Sequence, residues 1–163
     1  MTREGPEAAD DAPEPAQREI IYLHAGELVV TTRPSALTTV LGSCVSVCLW
    51  DPGSGVGGMN HYQLAHHVDR ERSRRFGSVA IPELIESVIL AGGRQATLQA
   101  KVFGGAAQFG GSTRRSLGTA NAELATQLLA AAHIPVLGGD VGGQRGRKLI
   151  FNTDDGTAWV RQL

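Results

Sequence analysis

The stretch LGSCVSVCLWDPGSGVGGMNHYQL, residues 41–64, carries the most information about how this chain folds. VSVCLW has the β-branched and apolar composition of a central strand, and Asp51-Pro52-Gly53 ends it. Residues 56–64 then predict a strand that returns antiparallel to the first. Both ends of this unit carry glycine-rich turns, and each turn holds one residue with useful chemistry.

Those two residues are Cys44, directly behind Gly42-Ser43, and His61, 17 positions later in the second turn. Glycine lets the backbone bend sharply, so the thiol can stand at the mouth of a turn. A nucleophilic cysteine needs an adjacent base, and histidine is the usual one. If the two turns meet in space, they form a catalytic pair. From the residues alone, a buried structural cysteine and an isolated histidine remain the alternative.

Length and composition bound the remaining possibilities. At 163 residues the chain suits one domain with a real core, and we expect that domain to span residues 19–163. Its net charge of −1 predicts no general affinity for nucleic acid. No apolar run approaches the ~20 residues that cross a bilayer, so we expect a protein that is not embedded in a membrane.

Residues 1–18 are acidic and proline-rich and predict a disordered tail rather than a secretory signal, which favours the cytoplasm. Two cysteines fit that compartment. Along a strand, Cys44 and Cys48 would stand about 13 Å apart, too far for a disulfide. Cys48, deeper in the apolar run, is predicted to be a core residue. We expect neither a metal site nor a cofactor, since His66-His67 lack partners at ligand spacing.

Along the rest of the chain, period-2 and period-3.6 patterns predict about eight strands and two helices. The first helix carries Ile81, Leu84, Ile85, Val88 and Ile89, with Pro82 in its first turn and Gly92-Gly93 at its end. The second runs from a cap at Thr119 or Asn121 to about residue 133. These elements predict an antiparallel-rich α/β sandwich with helices over one side.

Other segments invite functional interpretations that their spacing does not support. GGAAQFGG, residues 104–111, lacks the motif of a phosphate loop or a dinucleotide site, so no nucleotide is expected. Asp140 is predicted to be a turn or hydrogen-bonding residue, and Arg147-Lys148 a solvated strand start. DRERSRR, residues 69–75, is either a solvated face or a basic rim for an acidic partner helix.

Six motifs together closely resemble the CheD family, the chemoreceptor glutamine deamidases of bacterial and archaeal chemotaxis. They are collinear over about residues 20–163, which makes chance similarity improbable. The motifs are LGSCV at 41–45, DP at 51–52, GGMNHYQL at 57–64, AKVFGGA at 100–106, LGTAN at 117–121 and GGDVGGQRGRKLIF at 138–151.

The resemblance implies a role for individual residues. Cys44 matches the family's nucleophile and His61 its general base, while Thr38 matches the threonine that orients the imidazole. From the sequence itself Thr39 is equally suited to that third role. Gly42 and Ser43 are expected to open the cysteine turn so that its N–H groups stabilise an oxyanion. Candidates for substrate contact are, in chain order, Asn60, Phe103, Gly104 and Gly105.

The resemblance also implies a three-layer α/β/β architecture, similar to that of the cytotoxic necrotizing factor deamidase toxins. The implied activity is cofactor-free conversion of glutamines to glutamates in the helical cytoplasmic domain of methyl-accepting chemotaxis receptors. A CheC-type phosphatase is the second implied partner. One alternative is a non-catalytic binding regulator of that phosphatase. Another is a thiol protease or transglutaminase, which would use the same pair of residues.

Overall fold

The computed structural model describes residues 17–67, 72–107 and 116–163. Most of the predicted tail, residues 1–16, lies outside these ranges. The boundary at residue 18 needs a small correction, because Arg18 belongs to the domain. Its guanidinium pairs with Asp154 at 2.8 Å and with Asp155 at 3.2 Å.

The described residues form nine strands and two α-helices, close to the predicted number. A single turn of 3₁₀ helix, Gln95–Thr97, precedes the sixth strand. In chain order the elements are β1 Glu19–Tyr22, β2 Leu28–Thr31, β3 Ser35–Leu41, β4 Val45–Trp50, β5 Gly57–Asn60, α1 Gly77–Leu90, β6 Gln99–Gly104, α2 Leu117–Ala131, β7 Val136–Val141, β8 Arg147–Asn152 and β9 Ala158–Gln162.

The strands form two sheets. One has the order β1-β3-β8-β9 and the other the order β2-β5-β4-β6-β7. The pairs β1–β3 and β6–β7 are parallel, and the other pairs are antiparallel. The prediction of an antiparallel-rich α/β fold is confirmed, with β4 at the centre of the larger sheet and β5 returning beside it.

The alternation of side chains along β4 defines three layers. Val45, Val47 and Leu49 point toward α1 and α2 and pack with them in one apolar cluster. Cys48 and Trp50 point the other way, into a second cluster that the four-stranded sheet completes. The order is therefore helices, five-stranded sheet, four-stranded sheet. Cys48 is fully buried, which confirms its predicted place in the core.

Both helices begin earlier than the sequence suggests. α1 starts at Gly77, so Pro82 lies beyond the first turn, where its missing N–H leaves the Ser78 carbonyl without a helical donor. α2 is capped by Ser116, whose side chain accepts from the Thr119 N–H at 3.1 Å. Ser116 is therefore the cap, in place of the predicted Thr119 or Asn121, because its side chain satisfies the free Thr119 N–H of the first turn.

Arg147 is also placed differently from the prediction. Its side chain is 1% exposed rather than solvated. The guanidinium donates to the Asp140 and Gly142 carbonyls and pairs with the Asp140 carboxylate at 3.1 Å. It thereby fixes the β7–β8 connection, and the Gly142 N–H in turn donates to the Gly104 carbonyl at 2.9 Å.

Gly104 marks the closest backbone approach next to the cysteine turn. Its φ is +108°, and a Cβ built there would lie 2.1 Å from the Cys44 carbonyl oxygen. Gly142 also has a positive φ, +83°, but a Cβ there would meet nothing within 4 Å. Gly142 therefore requires glycine for its backbone conformation alone, whereas Gly104 requires it for both conformation and space.

We expect Gly142→Ala to lower the free energy of unfolding by about 1–2 kcal/mol, the usual cost of a side chain in the left-handed region. Gly104→Ala should cost about 1–3 kcal/mol more, because the methyl group must also displace backbone. Urea denaturation of both variants measures the difference. Equal losses would contradict the close approach at Gly104.

Candidate active site

Hydrogen bonds from neighbouring segments hold all three carbonyl groups of the turn Gly42–Cys44. Gly42 accepts from the Ala106 N–H at 2.9 Å, and Cys44 accepts from the Gly105 N–H at 2.9 Å. The Ser43 carbonyl accepts from the side-chain amide of Asn121 at 3.0 Å. The turn is therefore rigid, although Gly42, Ser43 and Cys44 are only half-buried.

Backbone hydrogen bonds hold both His61 and the residue that follows it. Its carbonyl accepts from the Gly26 N–H at 2.7 Å, and its N–H donates to the Glu27 carbonyl at 3.1 Å. The next residue, Tyr62, exchanges two hydrogen bonds of 3.0 Å with Val45. The histidine segment and the cysteine turn therefore lie side by side.

The register of this pairing puts Cys44 and His61 on one face. Val45 and Tyr62 are opposite each other and both point toward the helices. Their chain neighbours Cys44 and His61 therefore point to the opposite face, into the layer between the sheets. The two are diagonal neighbours across the pairing, and such neighbours in an antiparallel pair typically lie about 7–8 Å apart, which is within reach of an aromatic side chain.

The imidazole of His61 is held by a hydroxyl from the other sheet. Its Nδ1 lies 2.8 Å from Oγ1 of Thr39 on β3. The same hydroxyl donates its single proton to the Leu23 carbonyl at 2.7 Å, so toward the ring it acts as an acceptor. The neutral imidazole therefore carries its proton on Nδ1, and Nε2 holds the basic lone pair.

Thr38, the threonine implied by the resemblance, occupies a different place. Its hydroxyl donates to the Leu149 carbonyl on β8 at 2.9 Å and is spent within the four-stranded sheet. Successive residues of a strand point to opposite faces, so only one of the two adjacent threonines can face His61. The ring-holding hydroxyl in this structure is that of Thr39, which corrects the assignment to Thr38.

Burial shifts the pKa values of both residues of the pair toward their neutral forms. It raises the pKa of the Cys44 thiol above the ordinary cysteine value, an effect partly offset by the residue's own backbone N–H. It lowers the pKa of His61 below the ordinary histidine value, opposed by the Leu23 carbonyl and the Glu27 charge. At neutral pH the resting pair is therefore a thiol and a neutral imidazole.

The four candidates for substrate contact are all buried. Asn60 is 0% exposed. Its Oδ1 accepts from the Val47 N–H at 2.8 Å, and its Nδ2 donates to the Ala80 carbonyl at 3.2 Å. Phe103 is 4% exposed and packs between the sheets. Gly104 and Gly105 lie behind the cysteine turn. All four therefore belong to the buried framework around the cysteine turn, and their contact with a substrate stays a prediction.

Comparison with known proteins shows the family to which this chain belongs. A family model described as CheD chemotactic sensory transduction matches residues 61–162. The "Probable chemoreceptor glutamine deamidase CheD 1" of Anaeromyxobacter dehalogenans is 58% identical over 157 residues, 96% of this chain and 92% of that protein. The chain belongs to the CheD family.

Two more distant CheD relatives also match most of this chain. The "Probable chemoreceptor glutamine deamidase CheD" of Sulfurimonas denitrificans is 37% identical over 145 residues, 87% of this chain and 93% of that protein. The "CheD 1" protein of Geobacter sulfurreducens is 38% identical over 159 residues, covering 90% of this chain and 78% of the relative. The similarity therefore extends over nearly the whole domain.

Sequence reasoning named Cys44 and His61 of this CheD chain as the candidate pair, left the third role open between Thr38 and Thr39, and gave Asn121 no role at the site. Thr39 was indistinguishable from Thr38 without the strand's facing. Asn121 was noted only as part of LGTAN and as a possible cap of the second helix, yet its amide contacts the carbonyl of the residue before Cys44. Asn121 shares one face of the helix with Leu124, Ala125 and Leu128, and a polar residue at that spacing is the signal that could have pointed to it.

Two further observations concern metal-binding groups and membrane-spanning helices. No group of three or more His, Cys, Asp or Glu side chains in residues 17–67, 72–107 and 116–163 is arranged to hold a metal ion. Neither α1 nor α2 is long and apolar enough to cross a membrane, and the described residues contain no other α-helix.

Because burial raises the Cys44 pKa, alkylation of this thiol by iodoacetamide should accelerate with pH through a midpoint above that of a free cysteine. The thiolate is the form that reacts, and a raised pKa means that a higher pH is needed to produce it. Stopped-time alkylation followed by intact mass measures the profile. A midpoint below pH 7 would instead indicate a thiolate–imidazolium pair at rest and contradict this description.

Proposed function

We propose that this CheD-family protein hydrolyses the side-chain amide of glutamine in chemoreceptors, using Cys44 as nucleophile and His61 as general base. The names of its relatives give the activity, since each is a probable chemoreceptor glutamine deamidase. The cysteine–histidine mechanism is our own inference from the site.

One observation carries this proposal, the reciprocal pair of backbone hydrogen bonds between Val45 and Tyr62. It supports the pairing of Cys44 with His61 because it aligns their segments and directs both side chains to the same layer. The half-buried turn gives a substrate access to the thiol, while the imidazole is 6% exposed and shielded from bulk water.

The first chemical step is proton transfer from the thiol to Nε2 of His61 as the sulfur attacks the glutamine carbonyl carbon. Thr39 supports this step because it accepts the Nδ1 proton and leaves Nε2 unprotonated. The imidazolium formed is stabilised by that same hydrogen bond and by the nearby Leu23 carbonyl and Glu27 charge.

The sulfur–carbon bond forms as the carbonyl electrons move to oxygen. His61 then returns the proton to the amide nitrogen, the carbon–nitrogen bond breaks, and ammonia leaves behind a thioester on Cys44. Water gives a proton to the neutral imidazole and attacks the thioester, which releases glutamate and restores the thiol. The sequence consumes one water and needs no external oxidant or metal.

The proposed substrate is a glutamine on a receptor helix in the cytoplasm. A helix presents its side chains outward, which suits a nucleophile on a half-buried turn rather than one in a deep pocket. The basic rim predicted at 69–75 is only partly described. Within the described part, Arg74 already pairs with Glu83 of α1 at 2.6 Å, so it offers less charge to a partner.

Incubating the protein with a receptor cytoplasmic fragment should raise the mass of specific glutamine-containing peptides by about 1 Da, without cleaving or cross-linking the fragment. Cys44→Ser should abolish this change, because a serine hydroxyl is far less acidic than the thiol and lacks the activation it would need. Peptide mass spectrometry and ammonia release measure it. Cleavage or cross-linked products would indicate a protease or transglutaminase instead.

Regulation of a CheC-type phosphatase remains an implication of the resemblance and can be separated from catalysis. Cys44→Ala removes the nucleophile with little change of surface. A variant that loses receptor modification and still binds the phosphatase would assign the two activities to different features of the protein.

Thr39→Val should lower the deamidation rate by about 10–100-fold, since loss of a well-placed general base costs about 10²–10⁴ and misorientation costs less. Thr38→Val is the matched control on the same strand. It removes a hydrogen bond to Leu149 and should cost about 1 kcal/mol of stability with little change in rate. Steady-state rates and thermal melts of both variants check this, and the opposite ranking of rates would restore the role to Thr38.

A further inference from the structure

Asn121 of α2 links the two segments that carry the proposed nucleophile and base. Its side-chain nitrogen Nδ2 donates to the Ser43 carbonyl at 3.0 Å and to the Gln63 carbonyl at 2.8 Å. Ser43 directly precedes Cys44, and Gln63 follows two residues after His61. Asn121 is 1% exposed, so this link is shielded from water.

The bond to Ser43 fixes the orientation of the peptide group that leads into Cys44. A trans peptide is planar, and its C=O and N–H point in opposite directions. Since the Ser43 carbonyl points at Asn121 and α2, the Cys44 N–H must point away from the helix. This N–H is therefore directed to the side of the turn opposite Asn121.

Two observations indicate that this N–H faces the reacting centre. This N–H belongs to the same residue as the nucleophilic sulfur and so lies close to it, and this proximity lowers the pKa of the thiol. No backbone carbonyl in the described part of the chain accepts from it. It is thus a donor beside the nucleophile that is not consumed by secondary structure.

We propose that Asn121 is a positioning residue that aims the Cys44 N–H at the oxyanion formed when the Cys44 sulfur attacks a carbonyl carbon. The inference rests on the proposed function and extends it by naming the donor and the residue that orients it. A hydrogen bond accepted by the carbonyl of a peptide also polarises its N–H, which strengthens that donor.

The arrangement of the amide argues for such a role. Oδ1 of Asn121 is buried and has no hydrogen-bond partner, so the side chain is not optimised for stability. Both protons of its nitrogen are used, one on the carbonyl of the residue before Cys44 and one on the carbonyl two residues after His61. α2 itself is held rigidly against the turn, since Gly118 packs on the Gly105 backbone, where a Cβ would lie 2.5 Å away.

The experiment compares two reagents that both react with Cys44. p-Nitrophenyl acetate is attacked at its carbonyl, so a sulfur–carbon bond forms through a tetrahedral oxyanion before p-nitrophenolate leaves. Iodoacetamide is attacked at a saturated carbon and expels iodide without any oxyanion. The ratio of the two single-turnover rates therefore reports oxyanion stabilisation separately from thiol reactivity. A Cys48→Ala background leaves Cys44 as the sole thiol, because the chain has two cysteines.

Asn121→Ala should lower the acylation rate by about tenfold or more, since loss of one oxyanion donor costs about 10²–10³. Its alkylation rate should stay close to that of the parent. Asn121→Asp keeps the size but has one proton to donate when neutral and none when ionised, so it cannot hold both carbonyls and should lower the same ratio. If one variant fails to fold, as judged by its thermal melt, the other provides the measurement.

Tyr62→Phe is the matched control. It removes the hydrogen bond of 2.6 Å from the Tyr62 hydroxyl to the backbone carbonyl of Asn121 and leaves the Asn121 amide in place. It should destabilise the same helix contact and keep the parent's rate ratio. An unchanged ratio in the Asn121 variants, or an equal fall in Tyr62→Phe, would overturn the proposal and leave Asn121 with a structural role only.

The outcome does not depend on the identity of the substrate. If receptor fragments are not deamidated but the rate ratio falls in the Asn121 variants, the proposed function fails while the role of Asn121 in oxyanion stabilisation stands. If receptors are deamidated and the ratio is unchanged, the role of Asn121 fails while the proposed function stands.

Discussion

The site depends on one short contact, the two backbone hydrogen bonds that Val45 and Tyr62 exchange where β4 begins. Their reciprocity fixes a register, and in a sheet the register decides which face each side chain takes. A slip of one residue on either side would turn Cys44 or His61 toward the helices. The contact is isolated from the regular β4–β5 ladder, because the Asn60 side chain replaces a backbone acceptor for the Val47 N–H.

The two sheets contribute different parts of the same site. The five-stranded sheet and its turns carry the thiol and the imidazole, whereas β3 of the four-stranded sheet supplies the Thr39 hydroxyl. Thr39 in turn is anchored by the carbonyl of Leu23, just after β1. Correct stacking of the sheets is therefore a condition for the correct tautomer of the base. The helix layer contributes from the other side, through Asn121.

Much of this organisation could be predicted from the sequence. The strand composition of VSVCLW, the Asp-Pro turn and the apolar spacing of α1 are local signals, and they gave the elements and their layering. Motif resemblance supplied Cys44 and His61. What failed depends on contacts between distant segments. The choice between Thr38 and Thr39 depends on which face of β3 is directed toward His61. The burial of Arg147 depends on backbone carbonyls that the β7–β8 connection supplies.

The role of the candidate substrate residues could not be decided from the sequence for a related reason. A glycine-rich or polar motif near a catalytic residue is compatible with either substrate contact or backbone packing, and one sequence does not distinguish them. Gly104 is required because the Cys44 carbonyl leaves no room for a side chain. Asn60 completes a strand pairing. Both serve the site by shaping the main chain.

The protonated resting state of Cys44 has a consequence for the chemistry of oxidants. Peroxides and disulfides react with thiolates, so a cysteine whose pKa is raised by burial is a poor target for them. A redox switch would also need a second thiol within bonding distance. Cys48 lies within β4, beyond the turn that holds Cys44, and is wholly enclosed, so it is poorly placed to resolve a sulfenic acid on Cys44. The raised pKa therefore slows the reaction of the nucleophile with oxidants at neutral pH.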